Sequence, residues 1–265
     1  MNKGRTENLL SEIFNTSLSE VKKILTYKSW HRKVELYQIG KRKIVIKRKK
    51  KLQLLRTLSL WFSFYLVSFF SLSSSSLILS THVMTQNEKR ETRNELRRVG
   101  IYTPDLYAVN DDYLIEEFVE GTDLYKWSHS SNLEGACKIV YKVGCLTGKL
   151  HKNNWSFIDN KAQNYLVNEY KKIYRVDAGF LQKTADDFQK FMDIGTFLGS
   201  LLDLERSKYE HIVQSFLEGY YMTTGKDVPL KTFLVRNMVS LLLAPRCVNT
   251  IRNMWIPPKE TMFTH

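Results

Sequence analysis

The sequence predicts an α+β fold of two lobes joined at a hinge, with a strand-rich first lobe and a mostly helical second lobe. Two β-like runs, residues 34–39 and 43–48, flank Gly40 and indicate a hairpin early in the chain. A further strand pattern covers residues 113–119. Beyond residue 186 the apolar residues recur at helical spacing, which predicts a helical second lobe. With 43% hydrophobic residues, the 265-residue chain can bury the cores that such lobes need.

The same patterns predict the elements around these landmarks. Residues 5–26 carry apolar side chains at mixed steps of three and four, which favours one or two short amphipathic helices. Residues 88–99 predict a charged helix that ends at Gly100, and residues 134–152 predict a long helix. The expected organisation is an N-terminal helical segment over 1–33, a first lobe over 34–120 with a hydrophobic insertion over 52–87, and a second lobe over 121–265.

The positive charge of the chain is concentrated near its N-terminal strands. The formal net charge is +13, and nine basic residues lie between Lys41 and Arg56. Asp and Glu are absent between Glu35 and Glu88. Clustered lysine and arginine attract phosphate groups, so the cluster could face an anionic membrane or RNA. A solvated basic strand pair explains the same pattern, and both interpretations stay open.

The cysteines exclude two classes of small protein. Cys137, Cys145 and Cys247 are too few and too scattered for a disulfide framework. The three are also spaced too widely for the C-x-x-C pairs of metal or redox sites. We therefore expect a protein of a reducing, cytoplasmic environment.

Three polar residues around a predicted hairpin carry the chemistry. Asn164 follows Asp159 by five positions and Asp177 follows it by eighteen, with short strand patterns at 165–167 and 173–176 between them. Phosphoryl transfer needs a carboxylate that accepts the proton of the attacking hydroxyl, and oxygen ligands for the magnesium that neutralises the triphosphate. D-x-x-x-x-N followed by D-x-G after a hairpin is the spacing of that set. The motif predicts Asp159 as the catalytic base and Asn164 and Asp177 as magnesium ligands.

The segments LTGKLHKNNWSFIDNKAQNYLV and YRVDAGF resemble the catalytic loop of small atypical kinases, namely the KEOPS tRNA-modification kinases, the RIO kinases and the lipopolysaccharide Kdo kinases. In these families a Leu-His pair ends the helix before the loop, and His151 lies eight residues before Asp159. The resemblance extends to YLIEEFVEGTDL, which looks like a hinge strand, and covers about two thirds of the chain. It implies a protein-kinase-like fold that binds ATP and Mg²⁺.

The resemblance also implies a strand lysine on the α- and β-phosphates and a helix glutamate that pairs with it. Lys47, in the run Val45-Ile46-Lys47, is our assignment, although a neighbouring lysine in a slipped register stays open. On a helical wheel Glu88 shares a face with the apolar residues of the predicted helix, whereas Glu91 points away from them. We therefore expect Glu88 to pair with Lys47.

Four further positions follow from the resemblance alone. The hinge residues Glu117 and Val119 are expected to contact the nucleotide. Asp123, at the start of the helical lobe, would either touch the ribose or cap a helix N-terminus. Asp193 would brace the catalytic loop as a buried hydrogen-bond acceptor.

The expected function is an ATP- and magnesium-dependent phosphotransferase that acts on a hydroxyl of a protein or small molecule. The alternative is a pseudokinase, an ATP-binding module associated with membrane or RNA. Two departures motivate the alternative: G-x-G-x-x-G is absent before Lys47, and a hydrophobic insertion interrupts the first lobe. Because Asp193 follows Asp177 by only sixteen residues, a long peptide-binding segment is not expected between them.

The hydrophobic insertion raises a membrane question. Residues 57–87 contain no charged side chain, and their first half is dense in leucine and aromatic residues. A single crossing would place Lys47 and Asp159 on opposite sides of a bilayer, so an active enzyme cannot use the segment that way. It would be a re-entrant or surface-lying anchor, with contact to anionic lipid through residues 41–80, a buried helix of an enlarged first lobe, or the sign of an inactive site.

Overall fold

The described part of the chain contains a sheet-based first lobe and a helical second lobe. The computed structural model describes residues 3–28, 32–49, 53–70, 90–110, 112–183, 185–229, 231–243 and 248–254. The predicted α+β class and two-lobe arrangement are confirmed. Glu88, Cys247 and residues 71–87 of the insertion lie outside the described residues.

A five-stranded antiparallel sheet forms the first lobe, with the strand order β1-β2-β3-β5-β4. Its strands are β1 (Val21–Lys28), β2 (Arg32–Ile39), β3 (Arg42–Lys49), β4 (Leu106–Val109) and β5 (Tyr113–Glu117). The predicted β2–β3 hairpin is confirmed, and Gly40 takes the positive φ of +56° that its tight turn requires. One face of the sheet packs its apolar residues against helix α1 (Lys3–Phe14).

Strand β1 corrects the helix expected over residues 5–26. Only its first part is helical, as α1, and residues 21–28 pair with β2 instead. Val21 is buried, while Leu25 is 61% exposed. Apolar residues at 21, 24 and 25 fit a helical period, but the open edge of β2 offers a full ladder of backbone hydrogen bonds. Pairing in the tertiary structure therefore outweighs the local pattern.

The charged helix predicted over 88–99 is confirmed as α3 (Arg90–Arg98) within the described residues. It precedes β4 and packs its buried Leu96 against the second lobe. Its other buried side chain is Arg93.

The second lobe is built on two long helices. Helix α5 (Leu133–Lys152), predicted over 134–152, crosses α7 (Arg206–Thr224) so closely that a Cβ on Gly144 would lie 2.2 Å from the Phe216 carbonyl oxygen. Only glycine fits such an approach. The other helices are α4 (Leu124–Ser130), α6 (Asp187–Gly199), α8 (Lys231–Leu243) and α9 (Val248–Met254).

Five short strands line the second lobe where it meets the first. Strands β6 (Thr122–Asp123), β8 (Tyr165–Val167) and β9 (Ile173–Arg175) form one small sheet, and β7 (Trp155–Ser156) pairs with β10 (Gln182–Lys183). The predicted hairpin between Asp159 and Asp177 is thus confirmed as β8–β9.

The insertion contributes helix α2 (Gln53–Phe70), which packs on the second lobe rather than enlarging the first. Phe64 and Val67 are buried in an apolar cluster with Ile158 and with residues of α6 and α8. Among the open alternatives for the insertion, the described residues therefore give a helix with one buried face, but it packs on the second lobe and not within the first. Across the described residues, helices of the length and hydrophobicity that a membrane crossing needs are absent.

Candidate active site

Lys47 joins the two lobes at the candidate site. It lies on β3, opposite Leu114 of β5, and its side chain is 16% exposed. Its Nζ donates to the Val176 carbonyl oxygen at 2.6 Å, directly before Asp177. The side chain also pairs with Glu116 Oε1 at 2.7 Å. The structure thus brings the predicted strand lysine to the predicted D-x-G segment.

Glu116 is the carboxylate bound to Lys47, and sequence reasoning missed it. Its other oxygen, Oε2, accepts from Arg93 Nη2 of α3 at 2.6 Å, and Arg93 also donates to the Pro104 carbonyl oxygen at 2.7 Å. Burial raises the pKa of Glu116, but the charges of Lys47 and Arg93 outweigh it, so the net pKa lies below the usual value of 4.5. A charged residue within the apolar run of β5 was the available signal.

The catalytic loop holds Asp159 and Asn164 in one hydrogen-bonded turn. Asp159 is buried, and its carboxylate pairs with Lys161 Nζ at 2.8 Å. Asn164 Nδ2 donates to the Asp159 carbonyl oxygen at 3.0 Å. The Asn164 carbonyl oxygen in turn accepts from Val176 N at 3.0 Å. These bonds bring both ends of the β8–β9 hairpin, and with them the three predicted motif residues, to one place.

Asp177 follows the hairpin in a tight turn. Its Oδ1 accepts from the Gly179 amide at 3.1 Å, so the main chain orients the carboxylate. Lys47, Glu116, Asp159, Asn164 and Asp177 together are called the interlobe site below.

Arg175 holds the main chain of the site in place through hydrogen bonds, and sequence reasoning missed this residue as well. This buried guanidinium donates to the carbonyl oxygens of Asp159 at 2.9 Å and Asp177 at 2.7 Å. A third bond reaches Asn160 Oδ1 at 3.2 Å. The aromatic rings of Phe157 and Tyr165 lie 4.1 and 4.9 Å from its guanidinium carbon. One side chain therefore fixes the loops of both predicted carboxylates.

Asp193 braces the catalytic loop, as expected. It is fully buried on α6, and its Oδ2 accepts from the Phe157 amide at 2.8 Å. The same oxygen lies 3.1 Å from His151 Nε2, and the other ring nitrogen of His151 lies 3.1 Å from the Tyr220 hydroxyl. Burial raises the pKa of Tyr220 to about 12, so its hydroxyl stays protonated. The His151 of the Leu-His signature thus belongs to a buried hydrogen-bond network that holds the catalytic loop.

The hinge residues are placed, but their nucleotide contacts stay predictions. Asp123 caps helix α4, because its Oδ1 accepts from the Lys126 amide at 2.9 Å, which confirms the capping alternative. Glu117 accepts from the Asp105 amide at 3.1 Å. Val119 is buried at the end of the hinge strand.

Comparisons with known proteins found relatives that match about half of the chain. No protein-family model matches the chain. A probable bifunctional tRNA threonylcarbamoyladenosine biosynthesis protein of Methanocaldococcus jannaschii is 31% identical over 123 residues, 46% of this chain and 22% of that protein. The EKC/KEOPS complex subunit BUD32 of Encephalitozoon cuniculi is 28% identical over 155 residues, 58% of this chain and 75% of that protein.

A second archaeal protein, the probable bifunctional tRNA threonylcarbamoyladenosine biosynthesis protein of Methanosarcina mazei, is 26% identical over 147 residues. That match covers 55% of this chain and 25% of the relative, so the chain spans about a quarter or less of the two archaeal proteins. The resemblance predicted from the catalytic loop is confirmed: the chain is homologous to the atypical kinases of the KEOPS/Bud32 type.

Proposed function

We propose that the chain binds ATP with magnesium at the interlobe site and transfers the γ-phosphoryl group to a hydroxyl. The contact between Lys47 Nζ and the carbonyl oxygen before Asp177, at 2.6 Å, is the observation that carries this proposal. It sets a strand cation directly against the segment that would hold the metal. Phosphoryl transfer depends on such positioning and charge neutralisation more than on covalent chemistry.

Asp159 is the proposed general base. Its carboxylate is buried and paired with Lys161 Nζ at 2.8 Å, so its orientation is restrained. A hydroxyl that approaches the γ-phosphate between Asp159 and Lys47 could pass its proton to this carboxylate. Lys161 would then stabilise charge on the transferring group, as a lysine near phosphate does.

Asn164 and Asp177 carry the types of oxygen that a magnesium ion binds. The Asn164 amide nitrogen is bound to the Asp159 carbonyl oxygen at 3.0 Å, which turns its Oδ1 to the opposite side. Asp177 supplies a carboxylate fixed by the Gly179 amide. Carboxylate and amide oxygens with water complete the ligand set that Mg²⁺ prefers. The bound ion would neutralise the charge of the triphosphate.

The names of the relatives indicate a process in which the chain would use ATP. We infer that the chain serves tRNA threonylcarbamoyladenosine biosynthesis as a subunit of a protein complex, since one relative is a KEOPS complex subunit and two carry the name of that pathway. The acceptor hydroxyl is then one supplied within that complex, or water.

Labelled ATP tests the proposal. The full chain is incubated with γ-labelled ATP and Mg²⁺, alone and with tRNA, and ATP binding is measured in parallel. We expect magnesium-dependent loss of the γ-phosphate, and we expect Asp159→Asn to bind ATP but lose turnover, because an amide cannot accept the proton. Asp186→Asn, at the N-terminus of α6, is the matched control.

Two results would count against the proposal. ATP binding without turnover under every condition favours the pseudokinase. If the wild-type chain shows no magnesium-dependent ATP binding, both the active kinase and the ATP-binding pseudokinase are excluded.

The outer face of α2 supports a second candidate role, contact with an anionic membrane surface. It exposes an apolar row comprising Leu58, Trp61, Phe62, Tyr65 and Phe69. The basic cluster between Lys41 and Arg56 directly precedes it. Sedimentation with vesicles rich in anionic lipid should be strong at low salt and weaken as salt screens the lysines. Protein that stays in the supernatant at low salt contradicts this role.

A further inference from the structure

Helix α3 presents a cation, not a carboxylate, to the interlobe site. Of its two described glutamates, Glu91 is exposed and Glu95 pairs with Arg98 at 3.1 Å. The buried polar side chain of α3 is Arg93, and it points at Glu116. Within the described residues, the carboxylate bound to Lys47 therefore comes from strand β5.

We propose that Glu116 is the positioning residue for Lys47 and that Arg93 neutralises its second oxygen. This proposal rests on the proposed function, because Lys47 is the group that would bind the ATP phosphates. Glu116 Oε1 and the Val176 carbonyl oxygen each accept from Lys47 Nζ, at 2.7 and 2.6 Å. An ammonium group carries three donors, so a phosphate oxygen can accept from the third. The two contacts fix where that donor points.

The origin of the carboxylate has a mechanical consequence. Strands β3 and β5 are direct neighbours, and Val45 lies opposite Glu116 in the ladder. The Lys47–Glu116 pair is thus fixed by sheet register, whereas a pair with a helix glutamate changes whenever the helix moves. Displacement of α3 would remove Arg93 from Glu116 but leave Lys47 bound to it. The phosphate-binding lysine is then held independently of the helix.

The alternative is that Glu116 only stabilises the fold, and Glu35 provides the matched control. Glu35 is 2% exposed, as is Glu116, and it accepts from Lys33 at 2.9 Å and Arg48 at 3.0 Å. It lies on the same sheet, away from the interlobe site. Glu35→Gln and Glu116→Gln each remove one buried negative charge that at least two cations surround. Both changes should lower the melting temperature by similar amounts.

Kinetics with ATP distinguish a residue that positions Lys47 from one that only stabilises the fold. With full-length protein and Mg²⁺, we expect Glu116→Gln to lower kcat/KM for ATP by between about tenfold and a hundredfold, because misplacing one binding group by an ångström costs that much. Affinity for adenosine, which lacks the phosphates, should stay at the wild-type level. Glu35→Gln should leave both quantities at the wild-type level. Equal ATP kinetics in the two variants would overturn the inference while leaving the proposed function intact, and an inactive wild-type chain would overturn both.

A double variant keeps the test usable if Glu116→Gln does not fold. Arg93→Met combined with Glu116→Met removes one buried charge of each sign, so the fold keeps its charge balance. It should lose ATP kcat/KM as Glu116→Gln does, whereas Arg93→Met alone should lose much less. A double variant with wild-type kcat/KM, or an Arg93→Met loss as large as that of the double variant, would contradict positioning by Glu116.

Discussion

Glu35 and Glu116 are two buried glutamates on opposite faces of one sheet. Glu35 lies opposite Ile46, and Ile46 lies opposite Ile115, so these three share a face and the next residue, Glu116, points the other way. Burial works against ionisation of both, and cations hold the pKa of both below its usual value. Their electrostatic settings are therefore nearly the same.

The difference lies in the second hydrogen-bond partner of the cation that each glutamate binds. Arg48, bound to Glu35, continues to the Thr6 hydroxyl of α1 at 2.9 Å and so ties the helix to the sheet. Lys47, bound to Glu116, continues to the segment that carries Asp177. A shifted pKa alone thus does not identify a functional carboxylate; the second contact of its partner separates stability from function.

Arg175 gives the largest expected effect on stability, because this one buried cation donates three hydrogen bonds to the loops that carry Asp159 and Asp177. Arg175→Met removes three hydrogen bonds that the buried guanidinium donates, to the carbonyl oxygens of Asp159 and Asp177 and to Asn160 Oδ1. A hydrogen bond that involves a charged group contributes about 1.5–3 kcal/mol, so the free energy of unfolding should fall by about 3 kcal/mol or more, although Asn164 and Tyr165 still donate to Asp159 and Asn160. Denaturant unfolding measures it. A loss under about 1 kcal/mol would show that other donors replace the guanidinium.

Glu35 should make the free energy of unfolding fall as the pH is lowered into the acid range. Burial raises the pKa of Glu35, but hydrogen bonds from Lys23, Lys33 and Arg48 lower it, to a net value of about 2. A lowered pKa contributes stability above the unfolded value of 4.5 and loses it as pH falls towards 2. The loss amounts to about 3 kcal/mol.

Unfolding measured between pH 5 and pH 2 checks this contribution, and the range follows from the two pKa values. Glu35→Gln should flatten the pH dependence of the free energy of unfolding in that window. The same slope in both proteins would assign the acid sensitivity to other carboxylates.

Asp177 should affect binding with little effect on stability, which is the opposite of Arg175. Asp177→Ala removes the carboxylate that would hold magnesium, so ATP affinity should fall by at least about tenfold and lose its magnesium dependence. Calorimetric titration with and without Mg²⁺ measures both. The melting temperature is the control, since its loss would indicate a folding defect. Unchanged, magnesium-dependent affinity in the folded variant would remove Asp177 from the site.

The exposed face of α2 gives the smallest expected effect, and its buried face is the comparison. Phe69 is 75% exposed, so Phe69→Ser should change the free energy of unfolding by less than about 0.5 kcal/mol. Phe64 is 1% exposed and contacts the Phe188 ring at 5.2 Å, so Phe64→Ala should cost about 3 kcal/mol. Thermal unfolding compares the two. A large loss from Phe69→Ser would mean that part of the chain covers this face.

The sequence predicted the parts whose geometry is local. The β2–β3 hairpin follows from Gly40 and its flanking strand patterns, and the catalytic hairpin follows from the strand patterns at 165–167 and 173–176. Contacts between distant segments were not readable in this way. Strand β1 depends on the free edge of β2, and α2 depends on the surface of the second lobe.

Glu116 shows the limit for the site. Its role depends on the register that aligns β5 with β3 and on a helix that supplies Arg93, and spacing along the chain encodes neither. Sequence reasoning therefore looked for the partner of Lys47 on the helix, at Glu88, which lies outside the described residues.

Binding of ATP by the wild-type chain and by Lys47→Met is the most direct test of the interlobe site. Lys47 donates from the first lobe to the carbonyl oxygen directly before Asp177, so removing its charge should weaken ATP binding by about tenfold or more while adenosine binding is kept. Titration in the presence of Mg²⁺ measures both ligands in both proteins. Equal ATP affinity in the wild-type and Lys47→Met proteins would contradict the assignment of this site to ATP.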